Sequence, residues 1–223
     1  MLPSLPIGVT TVTWYESRGK RLLDIAVAGA LALATSPIHI VCAAAVRITS
    51  GSPVYFCQER PGLHGHPFKL IKFRTMEVGT HERSGGYPQP NAITPVGSWL
   101  RRTSLDELPQ LLNILRGDMS LVGPRPGLHS QAIRYTDEQR RRLNVRPGLT
   151  GLAQIEGRNA SPWSARIEAD LRYLSNVSLW NDLKILLLTI PAALRGVDQH
   201  VGQTQAEVDD LSPVRLAPPG WPK

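Results

Sequence analysis

The most apolar part of the chain is a run from Leu22 to Val46, interrupted only by a few weakly polar residues and His39. As one helix it would be long enough to cross a bilayer. Ser36-Pro37 falls near its middle, where proline removes a helix hydrogen bond and restricts the residue before it. The break leaves parts of about 14 and 9 residues, each shorter than the ~20 residues of a membrane span.

Basic residues flank this run on both sides, Lys20-Arg21 before it and Arg47 after it. Because basic residues favour the cytoplasmic side, both ends are predicted to lie there. A helix that breaks and returns within one leaflet fits both features, provided that Thr35, Ser36 or water covers the backbone at the break. The residues alone favour a spanning helix equally, and a kinked core helix of a soluble protein remains a third reading.

The pattern downstream predicts an α/β domain that is predominantly helical with a small β element. Residues 53–58 and 68–76 are β-branched and aromatic with turn residues between them, which predicts two short strands or a hairpin. Residues 79–97 are rich in Gly, Pro and Asn and predict a loop. Helices are predicted at 104–116, 129–143, 161–175 and 179–195. The polar, proline-containing tail 197–223 is predicted to be disordered.

Composition narrows the class of protein only a little. The 223 residues suffice for one domain with a core that needs no disulfides, and Cys42 and Cys57 form no disulfide framework. The two cysteines and the lack of metal-ligand spacing predict a reducing, cytosolic setting, and residues 1–16 do not have the order of a signal peptide. The 25 basic and 18 acidic residues give a charge of +7, which suits phosphate-bearing partners without choosing among them.

Two neighbouring carboxylates, Asp106 and Glu107, stand at the start of a predicted helix. Ser104-x-x-Glu107 has the form of a capping box, and taken alone the pair favours that structural role. The alternative is chemical. A carboxylate kept ionised beside Arg101 and Arg102 can attack a phosphorus atom whose charge the cations neutralise.

The arginines of this region favour the chemical role of the two carboxylates over the structural one. Ten arginines and no lysine lie between Arg101 and Arg158, and the guanidinium fork suits bidentate phosphate binding. Arg125, Arg146 and Arg158 stand in turns next to proline or glycine, which fix the backbone of a site. The run 140–142 instead indicates a solvated or headgroup-facing helix surface.

Other constellations that carry chemistry are not found in the sequence. It contains no P-loop, no dinucleotide-binding glycine pattern, no zinc-ligand spacing and no G-x-S-x-G serine motif. A basic nucleic-acid-binding domain is a competing interpretation, disfavoured by few aromatic residues, by the lack of a recognised motif and by the apolar run. A non-catalytic membrane scaffold is another.

Together these segments resemble the monotopic polyprenyl-phosphate phosphoglycosyl transferases, also called bacterial sugar transferases, in the form of their minimal catalytic unit. Any one motif is weak, but the ordered set over 18–196 is specific. The segments that carry the resemblance are Lys20-Arg21-Leu22-Leu23-Asp24, Ser36-Pro37, Gln58-Glu59-Arg60, Lys72-Phe73-Arg74-Thr75-Met76, Thr103-Ser104-Leu105-Asp106-Glu107-Leu108-Pro109-Gln110, Gly117-Asp118-Met119-Ser120-Leu121-Val122-Gly123-Pro124-Arg125-Pro126, Arg146-Pro147-Gly148-Leu149-Thr150-Gly151 and Gly157-Arg158-Asn159.

The resemblance implies a reaction and its residues. Asp106 would be the nucleophile on the sugar-proximal phosphate of a UDP-sugar, releasing UMP and leaving a covalent aspartyl-phosphosugar. Polyprenyl (undecaprenyl) phosphate would then take the phosphosugar. Glu107 would help to hold Mg²⁺ together with Asp106, or accept a proton from the lipid phosphate. Arg101, Arg125 and Arg158 would bind phosphate, and so would Arg146, for which a structural turn is an equal explanation.

The resemblance also implies location and organisation. It divides the chain into an N-terminal segment 1–17, a re-entrant membrane helix 18–48 broken at Ser36-Pro37, a cytosolic catalytic domain 49–196 and the tail. The enzyme would lie on the cytoplasmic face of the bacterial inner membrane and start exopolysaccharide, O-antigen (lipopolysaccharide) or glycoprotein glycan synthesis. A homodimer is compatible with it, and no nucleic-acid partner is expected.

Overall fold

A broken helix forms the N-terminal part of the fold. The computed structural model describes residues 14–80, 90–156, 161–194 and 209–211. Helix α1 (Lys20–Ala34) and helix α2 (Ser36–Ser50) meet at a bend of 62°. Pro37 cannot donate to the carbonyl of Leu33, and the Ser36 hydroxyl donates to that carbonyl instead, at 2.8 Å. The Thr35 hydroxyl covers the carbonyl of Leu31 at 2.7 Å. The predicted break and its local compensation are both confirmed.

The two helices of this pair show one buried and one exposed apolar face. Ala28 of α1 and Val46 of α2 are fully buried against the rest of the protein. Leu33, Ile40 and Ile48 are 79%, 68% and 83% exposed. Among the described residues no single helix has the length and apolar content to cross a membrane, whereas the bent pair passes that test as a unit.

An antiparallel hairpin follows, as predicted. Strands β1 (Tyr55–Pro61) and β2 (Pro67–Phe73) pair from Tyr55 opposite Phe73 to Pro61 opposite Pro67. Arg74 attaches the hairpin to the end of α2, because its guanidinium donates to the carbonyls of Ser50, Gly51 and Ser52. The nitrogen Nε2 of His39 lies 2.9 Å from the Tyr55 hydroxyl, so this polar residue of the apolar run contacts the hairpin.

The remaining elements surround the hairpin and the broken helix. They are α3 (Pro95–Arg102), α4 (Gln110–Arg116), β3 (Ser120–Val122), α5 (His129–Ala132), α6 (Asp137–Arg140), β4 (Gly148–Thr150), α7 (Leu152–Ile155), α8 (Trp163–Leu174) and α9 (Leu179–Leu194). Strands β3 and β4 form a buried parallel pair, which the sequence did not predict. The predicted helices at 161–175 and 179–195 are confirmed as α8 and α9. The helix predicted at 104–116 is shorter, and that at 129–143 is divided into α5, α6 and a 3₁₀ turn.

The main core lies where α1, α4, α8 and α9 meet the β3–β4 pair. Its largest buried side chains include Ile114, Met119, Tyr173 and Ile185. A polar cluster closes one edge of it. Asp182 of α9 accepts hydrogen bonds from the hydroxyl of Tyr173 at 2.8 Å and from Lys20 at 2.6 Å. This cluster fixes the start of α1 to α9.

Three residues of the C-terminal segment are described, and they pack on the domain. Leu211 is buried beside Tyr135 and Ile167, and Asp209 forms an ion pair with Arg134. The rest of the tail that was predicted to be disordered, 197–208 and 212–223, lies outside the described residues. So do residues 81–89 of the predicted loop, whose last part, from Pro95 onward, begins α3 instead.

Candidate active site

A tight turn between α3 and α4 carries the two candidate carboxylates. Ser104 has a positive φ of 56°, and Leu105–Glu107 form one 3₁₀ turn. The Ser104 side chain makes no capping hydrogen bond, so the capping box that the pair alone would favour is not formed. Helix α4 begins only at Gln110, after Pro109. The turn therefore buries Asp106 instead of starting a helix.

Asp106 is held in a buried, cation-rich environment. Its exposure is 8%. Burial raises the pKa of its carboxyl to about 6, and the neighbouring charge of Glu107 adds to the rise. Lys72, Arg101 and Arg125 oppose this rise in pKa. The carboxyl is therefore ionised at neutral pH while remaining poorly solvated, which is the state that a nucleophilic carboxylate requires.

Glu107 is paired with Arg125 across a short distance of 2.5 Å. Arg125 lies in a loop whose backbone is held from behind, since Arg142 donates to the carbonyl of Arg125 at 2.7 Å. Arg142 also forms a fully buried ion pair with Asp170 at 2.5 Å. The prediction that 140–142 form a solvated surface is therefore wrong for Arg142, which fixes the loop that carries Arg125.

Arg101 reaches the site from the last turn of α3. Its Nε donates to the hydroxyl of Thr75 at 2.9 Å, and its charge acts on Asp106. Gly97 lies one turn earlier on the same face of the helix. A Cβ at Gly97 would lie 2.0 Å from the carbonyl oxygen of Thr75. Only glycine permits this approach, and the approach brings Arg101 to the carboxylates.

Lys72 is a site residue to which the sequence analysis gave no role. It lies near the end of β2, where the negative charge of Asp106 acts to raise the pKa of its ammonium group. Burial nevertheless lowers the pKa of its ammonium group to about 8. The signal was present in the sequence: Phe68, Leu70 and Lys72 share one face of a strand. That face packs on the core at Phe68 and Leu70.

Of the two remaining predicted phosphate ligands, the structure describes only Arg146. Arg146 donates from Nε to the carbonyl of Gly117 at 2.8 Å, at the end of α4 that is far from the carboxylates. Arg158 lies outside the described residues. Arg60 was part of a motif without a role; its Nη2 donates to Gln58 at 2.7 Å, and its charge acts on Lys72.

A cavity of about 220 Å³ lies beside these cations. Lys72, Thr75 and Met76 line it together with Tyr55 and Phe56 of β1. Arg101 does not line this cavity but contacts two residues that do. Its guanidinium is hydrogen-bonded to Thr75 and lies 3.3 Å from the sulfur of Met76. Aromatic rings thus share one chamber with Lys72, whose charge interacts with Asp106.

The donor set can be compared with the needs of Mg²⁺. The described parts of the chain contain no cluster of three or more His, Cys, Asp or Glu side chains that could hold a metal ion. Mg²⁺ is commonly bound by one or two carboxylates, with water and substrate phosphates completing its shell. Asp106 and Glu107 are two adjacent carboxylates whose mutual repulsion raises the pKa of Asp106. They fit a substrate-dependent magnesium site.

A buried acid within a set of cations, on a small helical domain with a broken apolar helix, defines a class of enzymes that handle phosphorylated substrates. The model of the bacterial sugar transferase family matches residues 15–196. The uncharacterized sugar transferase EpsL of Bacillus subtilis is 49% identical over 83% of this chain and 91% of its own length. The chain therefore belongs to the bacterial sugar transferase family.

Two further relatives have names that specify a reaction. The UDP-glucose:undecaprenyl-phosphate glucose-1-phosphate transferase of Caulobacter vibrioides is 43% identical over 78% of this chain and 69% of its own length. That of Escherichia coli is 38% identical over 85% of this chain, which spans only 43% of that relative.

Proposed function

We propose that the protein transfers a sugar phosphate from a UDP-sugar to undecaprenyl phosphate and thereby starts a membrane-linked glycan. The names of the relatives supply the two substrate classes. The observation that carries the proposal is the single buried carboxylate of Asp106 among Lys72, Arg101 and Arg125. Arg125 offsets the charge of Glu107, so Lys72 and Arg101 together exceed the single negative charge of Asp106. The excess fits a diphosphate.

In the first step the carboxylate of Asp106 attacks the sugar-proximal phosphorus of the UDP-sugar. A bond forms between its oxygen and phosphorus, and the bond from phosphorus to the bridging oxygen breaks. UMP leaves with the electron pair of that bond. Lys72 and Arg101 bind the phosphate oxygens and offset the negative charge that would otherwise repel an anionic nucleophile. The aromatic chamber at Tyr55 and Phe56 receives the nucleoside.

In the second step an oxygen of undecaprenyl phosphate attacks the same phosphorus. The bond to Asp106 breaks, the carboxylate is regenerated, and undecaprenyl-diphospho-sugar is formed. Glu107 stands next to Asp106 and accepts a proton if the lipid phosphate enters as its monoanion. Arg125, paired with Glu107, holds this carboxylate in place. The two displacements replace one direct transfer between two dianionic partners.

Magnesium is part of the proposal, with Asp106 and Glu107 as its protein ligands. When bound, the ion offsets the charge of the diphosphate. Without it, the described cations near Asp106 that remain for the substrate phosphates are Lys72 and Arg101, since Arg125 is engaged by Glu107.

We also propose that the bent helix pair enters one leaflet of the bacterial inner membrane and leaves by the cytoplasmic face. The 62° bend supports this arrangement, as do the exposed apolar side chains Leu33, Ile40 and Ile48. Such an anchor would place Asp106 at the interface where the phosphate of a lipid lies.

The test is a product assay with the full chain in nanodiscs that contain undecaprenyl phosphate. A panel of UDP-hexoses is offered with Mg²⁺, and the released nucleotide is identified. We expect UMP, whereas a glycosyltransferase that cleaves the sugar–phosphate bond would release UDP. A quench without lipid should trap a phosphosugar on Asp106, identified by peptide mass spectrometry, and the Asp106→Asn variant should form neither UMP nor adduct. Release of UDP, or an adduct on another residue, would overturn the mechanism.

A further inference from the structure

A second cavity, of about 410 Å³, lies on the other side of the carboxylate turn. Its walls come from α1 and α9, and its floor comes from β3, β4 and α4. Apolar side chains dominate the lining. Among the lining residues that the structure describes, Glu107 is the one with a charge. The lining includes Val27, Leu31, Leu108, Leu111, Leu149 and Leu186.

This groove joins the active site to the outer apolar surface. One end is formed by Ser104 and Glu107, next to the proposed nucleophile. Towards the outside, Leu31 of α1 and Ile190 of α9 line the groove and are 42% and 61% exposed. A chain of apolar groups can therefore pass from the exterior of the helix pair to the carboxylate turn without crossing a charged surface.

One polar side chain in this groove has no hydrogen-bond partner in the part of the chain that the structure describes. Gln154 is only 6% exposed, yet its Oε1 and Nε2 are both buried without a hydrogen bond. Buried amides are almost always satisfied, and leaving one unpaired is costly. The wall hydroxyls of Thr150 and Thr189, by contrast, pair with each other at 2.7 Å. Gln154 therefore has both a free donor and a free acceptor for a ligand.

The position of Gln154 is close to the phosphate-handling loop. It lies on α7, directly after β4, and the carbonyl of Thr150 in β4 accepts the N–H of Gly123 at 2.9 Å. Gly123 precedes Arg125 by two residues. A Cβ at Gly151 would lie 2.2 Å from the carbonyl oxygen of Gly123 and 3.0 Å from Oε1 of Gln154, so the amide lies beside the backbone of the loop that leads to Arg125.

We propose that this groove binds the phosphate-proximal isoprene units of the acceptor lipid and that Gln154 is a positioning residue for its phosphate end. The proposal rests on the proposed function. A water-sized group occupies about 30 Å³ in the liquid, so the volume of about 410 Å³ holds on the order of a dozen heavy atoms. The groove therefore takes the beginning of the chain, and the remainder stays in the bilayer.

The experiment compares the two half-reactions in variants of α9. Ile190→Trp fills the groove. Leu187→Trp, on the same helix, is the matched control, because Leu187 is 69% exposed and does not line the groove. Trapped adduct and UMP burst report the first half-reaction without lipid, and undecaprenyl-diphospho-sugar formation reports the second. We expect Ile190→Trp to raise the KM for undecaprenyl phosphate at least about tenfold, with a normal burst, and Leu187→Trp to behave as the wild type.

Gln154→Met supplies an independent readout, because methionine keeps the shape of the side chain without its hydrogen-bonding groups. We expect an equal or higher melting temperature, since an unpaired buried amide is removed. Lipid-dependent turnover should nevertheless fall about tenfold, the equivalent of one hydrogen bond to a charged group. A merely structural glutamine would lower the melting temperature and leave turnover of the folded protein unchanged, and that result would overturn its assigned role.

The outcomes separate the two proposals. A wild-type protein without a UMP burst contradicts the proposed function itself. A normal burst with an unchanged lipid KM in Ile190→Trp contradicts the groove alone. An equal loss in Ile190→Trp and Leu187→Trp also contradicts it, because the effect would then come from the outer surface of α9.

Discussion

Replacing Asp106 by asparagine should stabilise the folded protein at neutral pH and abolish its activity. Folding places this carboxylate in a site that favours its neutral form, since its pKa rises from the ordinary 3.8 to about 6. At ~1.4 kcal/mol per pH unit this rise opposes folding by about 3 kcal/mol at neutral pH. Asparagine has nearly the same shape and no charge to bury. Because the interaction with Glu107 is shared by both carboxylates, we expect a net gain of about 1–3 kcal/mol.

The gain should depend on pH with a definite sign. Above about pH 6 the wild-type Asp106 is ionised in both the folded and the unfolded chain, so the full cost of its burial is present. As the pH falls from about 6 to about 4, the folded wild type takes up its proton first and the cost disappears. Thermal unfolding in detergent at about pH 7.5 should show Asp106→Asn several degrees above the wild type, at ~2–4 °C per kcal/mol. At about pH 4 the two should converge.

Glu168→Gln is the matched control, because Glu168 is an exposed acid on α8. Its removal should change the free energy of unfolding by less than about 0.5 kcal/mol at either pH. The reasoning about Asp106 fails if the asparagine variant is no more stable than the wild type at neutral pH, or if the gain is the same at both pH values.

Three further predictions concern the site and the helix pair. The rate of adduct formation should follow a bell-shaped pH profile, falling below about pH 6 as Asp106 is protonated and above about pH 8 as Lys72 loses its proton. In the Lys72→Arg variant the fall at alkaline pH should vanish. If that fall persists, Lys72 is not its source. Gly97→Ala should lower the free energy of unfolding by about 1–3 kcal/mol, because the added Cβ would lie 2.0 Å from the carbonyl oxygen of Thr75. Denaturant unfolding measures this change, and an unchanged midpoint would contradict it. Pro37→Ala restores the missing helix hydrogen bond and should reduce the 62° bend, measured as a longer spin-label distance between the outer ends of the two helices; an unchanged distance would mean that packing alone sets the bend.

The elements that the sequence predicted well are those whose signals are local. The bend follows from one proline and from two hydroxyls at Thr35 and Ser36 that cover the exposed carbonyls. The hairpin follows from two β-rich segments with a short turn between them. In both cases the residues that decide the structure are neighbours in the chain, so no knowledge of distant contacts is needed.

Local patterns were less decisive for the carboxylate turn. Ser104-x-x-Glu107 and Thr136-x-x-Gln139 have the same form, yet only the second becomes a capping box, with hydrogen bonds of 2.9 and 3.2 Å. The first fails because Ser104 adopts a positive φ directly after α3 and because Arg125, from a distant loop, binds Glu107. A cap and a functional pair compete for the same residues, and tertiary contacts decide between them.

What the sequence could not supply depends on long-range pairing. Strands β3 and β4 have three residues each and lie more than 20 positions apart, so neither has a periodicity to detect. In the sequence Arg142 looks like one of three surface arginines, and only the fold shows that it forms a buried ion pair with Asp170 of α8. Lys72 could have been recognised as a site residue, because it continues the apolar face of a strand and lysine is rarely buried without a charged partner.

The geometry of the proposed displacements explains why one set of cations can serve two substrates. An in-line displacement puts the entering and leaving oxygens on opposite sides of phosphorus. With Asp106 on one side in both steps, undecaprenyl phosphate must enter where UMP has left. Lys72 and Arg101 would then bind the phosphate of UMP first and that of the lipid afterwards. The two ligands differ only beyond the phosphate, where an aromatic chamber adjoins Lys72 and an apolar groove begins at Glu107. Selectivity would therefore lie in the two cavities, and the cations would recognise only what the substrates share.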